Sequence, residues 1–120
     1  MVGRQGMDTR RVLRHPLDVD VEVTDQESGI QIKERTKDLS LYGCGVITAN
    51  PFPAGTKVML KVAHGEKEIV AFGQVMYGRR DIGMGIAFTT MEPFDQKILE
   101  DWFVELVIYR SEWRDVSVKP

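Results

Sequence analysis

The run Asp38-Leu39-Ser40-Leu41-Tyr42-Gly43-Cys44-Gly45 concentrates polar chemistry in a short space. Asp38 is a hard acceptor, and Ser40 both donates and accepts. In an extended backbone the two side chains share one side, because side chains alternate with a period of two. Gly43 and Gly45 are positions where the chain can take a positive φ or let a ligand approach the backbone. Leu39, Leu41 and Tyr42 are expected to pack inward and hold this corner still. An ordinary turn uses Asp, Ser and Gly for local reasons too, so the stretch alone leaves both readings open. A second stretch, Arg10-Arg11-Val12-Leu13-Arg14, sets Arg10 and Arg14 four apart. Extended or helical, residues at that spacing face the same side.

The elements that must position these residues follow from periodicity. The first residues, Met1 to Gly6, are polar and aperiodic, and the arginine arm follows. Pro16 biases His15 toward extended geometry and ends any helical turn there. Leu17, Val19, Val21 and Val23 then alternate with Asp18, Asp20 and Glu22, which predicts a half-buried strand. A turn over Gln26 to Gly29 leads to a second strand, Ile30 to Lys37. That strand is polar apart from Ile30 and Ile32, which suggests an edge or a solvent-facing position. After the Asp38 corner, strands are predicted at Cys44 to Thr48, around Val58, Leu60 and Val62, from Ile69 to Tyr77, and over Met84, Ile86 and Phe88. Ile69, Ala71, Gly73, Val75 and Tyr77 share one parity. Gly73 in mid-strand suggests a bulge or bend.

The period then switches. Ile98, Leu99, Trp102, Phe103, Leu106 and Val107 have helical spacing, predicting a helix from Pro93 to about Tyr109. Glu92 and Asp95 suit its start and Arg110 its end. Trp102 and Phe103 are expected to seal the core. Residues after Ser111 read as a tail. The pattern is all-β with one C-terminal helix, and closure into a barrel would remove exposed edges.

A chain of 120 residues is expected to form one domain with a core of its own. The single cysteine, Cys44, excludes an intramolecular disulfide and fits a reducing cytoplasm. No apolar run is long enough for a membrane span, and the first residues lack a signal core. The net charge of −2 argues against bulk nucleic-acid binding. Residues 1–15 hold four arginines against one aspartate, a net +3, which leaves −5 for the rest of the chain. A basic arm before an acidic body suits a small anionic ligand, or an arm that pairs with its own body. With three arginines and few large apolar groups, residues 8–15 are expected to order only when a ligand is bound. His15, His64 and Cys44 form no metal-type cluster, and Arg79-Arg80 reads as a solvated hairpin tip.

Arg10-x-x-x-Arg14, followed about two dozen residues later by Asp38-x-Ser40-x-x-Gly43, resembles the paired signature of PilZ domains. These are small bacterial β-barrels that bind cyclic di-GMP. Gly85-Ile86-Ala87-Phe88 is similar to the strand that closes the family's barrel. The likeness runs from about Arg10 to about Val107. It implies a six-stranded antiparallel β-barrel of the split-barrel type over residues 10–110, after a flexible segment, 1–9, and before a tail, 111–120. It also implies a cytoplasmic, non-catalytic receptor without cofactor or metal. Such a receptor would bind cyclic di-GMP and relay it to a downstream protein in motility, adhesion or exopolysaccharide control, as in biofilm formation. The resemblance carries over Arg10, Arg14, Asp38, Ser40 and Gly43 as ligand residues, with Arg11 beside them. An arginine fork can grip a phosphate or the O6/N7 edge of guanine and can stack on a purine. A carboxylate suits the guanine donors.

Two rivals stand beside this reading. One is a PilZ-like adaptor that binds protein only, and the intact signature argues against it. The other is a small barrel that binds single-stranded nucleic acid through its arm and aromatics. Net acidity and few aromatics oppose that one. Ser40 has no evident base partner, and no paired-carboxylate, phosphate-loop or metal motif points to an enzyme.

Overall fold

A computed structural model describes residues 15–118 and, within them, the side chains of residues 17–105. The elements are β1 (His15–Pro16), β2 (Asp20–Asp25), β3 (Gln31–Ser40), β4 (Gly43–Ile47), β5 (Lys57–His64), β6 (Lys67–Arg79), β7 (Gly83–Met91) and α1 (Pro93–Val118). All pairings are antiparallel, and β3 also pairs with β4, so β3-β2-β5-β6-β7-β4 closes on itself. The result is the six-stranded barrel that the strand pattern and the family resemblance imply. β1 adds a short stub on the same edge of β3 as β2.

Alternation explains most of the core. Val21 and Val23 of β2, Val58, Leu60 and Val62 of β5, and Ile69, Ala71 and Val75 of β6 all face inward and are buried. Cys44 and Val46 from β4 and Met84 and Ile86 from β7 complete the wall. Cys44 is thus a small packed residue, as its strand position implies. The helix plugs the barrel with Ile98, Leu99 and Trp102, and Phe103 packs against them. The Trp102 ring meets His64 edge-on at 5.3 Å. Asp95 ties the first turn of the helix to the barrel by accepting the Val70 N–H at 3.3 Å. Truncating a buried leucine such as Leu60 or Leu99 to alanine removes about 2–5 kcal/mol from such a core. The helix runs past Tyr109 to Val118, so the stretch after Ser111 that reads as a tail continues it. Among the described residues, no helix is long and apolar enough to cross a membrane.

Departures from strict alternation decide which face the polar residues reach. β3 is not an edge, since it pairs on both sides; its polarity reflects an outward face. Its register with β4 shifts between Thr36 and Asp38, leaving Lys37 as the extra, bulged residue. Before the bulge Ile32 and Thr36 point inward; after it Leu39 does, and Asp38 and Ser40 turn outward. β6 shifts likewise between Val75 and Tyr77, which bulges Met76 and sends Tyr77 outward, 55% exposed. Without that bulge, its shared parity with Ile69 and Val75 would put it on the inner face. A further shift falls between Phe72 and Gly73, where mid-strand glycine predicts one.

The bulge in β3 also splits the first predicted strand. Leu17–Val19 leaves regular pairing and is held instead by Thr36, which is fully buried. The Thr36 hydroxyl donates to the Leu17 carbonyl and accepts the Val19 N–H at 3.1 Å. Thr36→Val keeps the shape and strands both backbone groups, so it should lower stability by about 1–3 kcal/mol. Thr36→Ser should lose less than Thr36→Val. Urea denaturation of the variants measures this, and equal losses would show that the hydroxyl is not the tie.

Candidate functional site

With the two bulges in place, three rungs cross the outer face from β3 to β6. They are Ser40–Gly43–Ala87–Gln74, Asp38–Gly45–Gly85–Tyr77 and Arg35–Ile47–Gly83–Arg79. Apart from Ile47, the two middle strands contribute only glycine and alanine, so a lane of nearly bare backbone runs between polar walls. Asp38, Ser40, Arg35 and Tyr77 in those walls each make a local contact.

Asp38 accepts the Gly45 N–H at 2.9 Å, which anchors its carboxylate at the edge of the lane. A Cβ on Gly45 would stand 3.1 Å from the same oxygen. Opposite, the Tyr77 ring lies over Gly85: a Cβ there would be 2.4 Å from the Tyr77 Cε2 atom. Gly43 and Gly83 are required by the sheet itself. A Cβ on either would come within 2.2 Å of a carbonyl oxygen, of Ile86 and Val46 respectively.

The β3–β4 connection is tighter than the predicted corner. Asp38 and Ser40 belong to β3 and Gly43 to β4, leaving only Leu41 and Tyr42 as the turn. Both turn side chains are exposed, so only Leu39 packs inward. A two-residue tip standing off the barrel leaves its side chains nothing to bury against. Ser40 is buried, and its hydroxyl accepts the Tyr42 N–H at 3.1 Å and donates to the Gly43 carbonyl at 3.3 Å. The Tyr42 carbonyl accepts the Phe88 N–H at 2.8 Å, which staples the tip to β7. Ser40 therefore shapes the turn, and Gly43 lets β4 lie close to β7.

Two depressions flank the Tyr77 ring, and both are bordered by Tyr77 and Asp38. One, of about 360 Å³, lies toward Ser40, Tyr42, Met76 and Ala87. The other, of about 290 Å³, lies toward Lys37, Ile47, Arg79 and Ile82. Arg35, on the third rung, is committed elsewhere: it binds Asp20 at 2.6 Å and also Asp18. Those hydrogen bonds, Asp18 first, raise its already high pKa. The face can hold a flat ring with N–H donors against the carboxylate and an aromatic surface against the exposed tyrosine. Among the described residues, no group of three His, Cys, Asp or Glu side chains is placed to hold a metal.

The structure thus brings Asp38, Ser40 and Gly43 to one face. Arg10, Arg11 and Arg14, and the expected arm over residues 8–15, lie outside the described residues. The described chain begins beside the site, since His15 pairs with Leu39 and Pro16 with Asp38. Sequence reasoning missed Tyr77, Met76, Gly85 and Ala87 as parts of the face. The available signal was the resemblance of Gly85 to Phe88 to a barrel-closing strand, which places that strand beside the Asp38 hairpin.

The family model of the PilZ domain matches residues 8–105. No curated protein matches the chain. Among solved structures, the PilZ domain of Escherichia coli YcgR with c-di-GMP is similar, with 20% identity and a TM-score of 0.69 over 88% of this chain and 97% of that one. The PilZ domain of CeSA from a cellulose-synthesizing bacterium is 21% identical, with a TM-score of 0.64 over 78% of this chain and 97% of that one. The Bacillus subtilis inhibitor of motility, MotI/DgrA, is 17% identical with a TM-score of 0.68. The likeness covers 83% of this chain but 52% of that protein, so this chain spans about half its length. At these identities the likeness shows a shared fold.

The contact of Tyr77 with Gly85 can be checked by a double-mutant cycle. Gly85→Ala should destabilise the protein, and should do so less in a Tyr77→Ala background, with a coupling of about 0.5–3 kcal/mol. Additive effects in thermal or urea unfolding would mean that the ring does not rest on the glycine.

Proposed function

The chain belongs to the PilZ domain family, and on that premise we propose that it is a non-catalytic receptor for the bacterial second messenger cyclic di-GMP. The observation that carries the proposal is the rung Asp38–Gly45–Gly85–Tyr77. It offers a fixed carboxylate, a floor without side chains and an exposed aromatic ring, in that order. A guanine laid on the lane would give its N–H donors to Asp38 and its face to Tyr77. Ser40 and Gly43 act with Asp38 as ligand residues chiefly by setting the shape of the turn that holds it.

Arg10, Arg11 and Arg14 supply the opposing half of the proposed site. Support comes from the sequence: Arg14 directly precedes His15, which pairs with Leu39 beside Asp38. Arginine forks reaching in from there would take the phosphates and the O6/N7 edge. Among the described residues, the Ser40 hydroxyl is engaged by its own turn, which supports a non-catalytic reading. In this reading the output is a change of surface, passed to a partner protein in the cytoplasm. Control of motility is the process we favour, since the B. subtilis inhibitor of motility shares the fold. Adhesion and exopolysaccharide control are the alternatives.

Calorimetric titration with cyclic di-GMP should show saturable binding that GMP and an oligonucleotide do not reproduce. Absence of heat, together with unchanged amide shifts at high ligand concentration, would refute the assignment. Arg14→Lys should bind nearly as poorly as Arg14→Ala, because lysine supplies the charge without the fork. Losing one partner of a buried charged hydrogen bond costs roughly 2–5 kcal/mol, and each ~1.4 kcal/mol is tenfold in affinity. If lysine restores most of the binding, the arm acts only as a diffuse positive charge.

A further inference from the structure

The depression on the far side of Tyr77 is bordered by Asp38 too, and adds a chemistry that the first hollow lacks. It is bordered by two cations, Lys37 and Arg79. Among the described residues neither is in an ion pair, whereas their neighbour Arg35 is neutralised by Asp18 and Asp20. Lys37 is the bulged residue of β3, next in sequence to Asp38. Arg79 ends β6 and pairs with Gly83, whereas Arg80 lies in the turn that follows and does not border the depression. The chain after residue 15 carries a net −5, so two cations facing one concavity, with Asp38 as the one acid among the described residues that also borders it, run against its overall charge. Between them the floor is backbone, from Gly45 and Gly83, and the exposed Ile47 and Ile82 line the rim.

We propose that this depression is a second subsite for the same cyclic dinucleotide, which straddles Tyr77 and occupies both hollows. The inference rests on the cyclic di-GMP reading of the site. The ligand has two chemically identical halves, each with a base and a phosphate, and the face has two contiguous hollows. One half lies over Gly85 and Ala87 against Asp38. The other crosses the tyrosine, sets its phosphate between Lys37 and Arg79, and lays its base on the two isoleucines. The first and third rungs are four residues apart along the strands, about 13 Å at the usual rise. The scale is that of a dinucleotide rather than a single base. Lysine offers a point charge and arginine a fork, and both suit a phosphodiester.

Titration calorimetry with cyclic di-GMP on single-alanine variants tests the subsite, with Arg80→Ala as the control for a lost charge outside the hollow. Arg79→Ala and Lys37→Ala should each weaken binding about tenfold, and Arg80→Ala by less than about twofold. All three side chains are exposed, so the variants should fold as the parent does. In the parent protein, ligand should shift the backbone amide resonances of Ile82 and Gly83 as well as that of Ala87. Equal weakening by Arg79→Ala and Arg80→Ala would reduce the effect to general charge and overturn the subsite. So would amide shifts confined to the Ala87 side. If the parent protein binds no cyclic di-GMP, the functional reading itself fails and the subsite falls with it.

Discussion

A strand can present a given residue only to one face, and two added residues reverse that choice in this barrel. Lys37 in β3 and Met76 in β6 each occupy a bulge. Without the first, Asp38 and Ser40 would follow Ile32 and Thr36 into the core. Without the second, Tyr77 would follow Val75. The two bulges lie on strands that β4 and β7 separate, yet they turn their residues onto the same outer surface. Everything attributed to the face depends on that paired reversal. The inner face is kept apolar by the same step, because the carboxylate leaves it.

The surface between the walls is made by removing side chains. Gly43 and Gly83 have no alternative, since neighbouring backbone oxygens occupy the place of a Cβ. Gly45 and Gly85 give up theirs to Asp38 and Tyr77. Glycine weakens a strand by entropy and by lost packing. Here the two weakened strands lie side by side in a closed ring, each paired on both edges. Their inward residues, Cys44, Val46, Met84 and Ile86, are buried. Core packing on one side thus offsets bareness on the other.

Much of this was legible in the sequence, and what was not has a physical reason. The alternation of β2 and β5, the switch to helical spacing after Pro93 and the sealing role of Trp102 follow directly from period. Residue type and spacing single out Asp38, Ser40 and Gly43, and the strand registers place them on neighbouring rungs of one face. Tyr77 was missed because a bulge adds one residue without leaving any compositional mark at Met76. Leu41 and Tyr42 were placed inward because they are apolar, but a two-residue turn leaves them no interior to reach. The polarity of β3 leaves an edge and a solvent-facing position both open, because polarity cannot tell an unpaired edge from a wet face, and pairing on both sides decides for the second. The helix was ended too early at Tyr109, since Arg110 and Ser111 mimic a terminus while the backbone continues to Val118.

The floor of the lane is fixed by backbone atoms, whereas its walls are side chains at the surface. The two therefore tolerate change very differently. A new side chain at Gly43 or Gly83 collides with main chain that the ring cannot move, and one at Gly45 or Gly85 collides with Asp38 or Tyr77. A new residue at Lys37, Met76, Tyr77 or Arg79 meets mostly solvent. The barrel can thus serve as a constant plinth on which different recognition chemistries are mounted, in keeping with sites being grafted onto folds. A designer wishing to mount a new recognition chemistry on it would leave the four glycines alone and rewrite only the two rims. Drift over generations would be steered the same way.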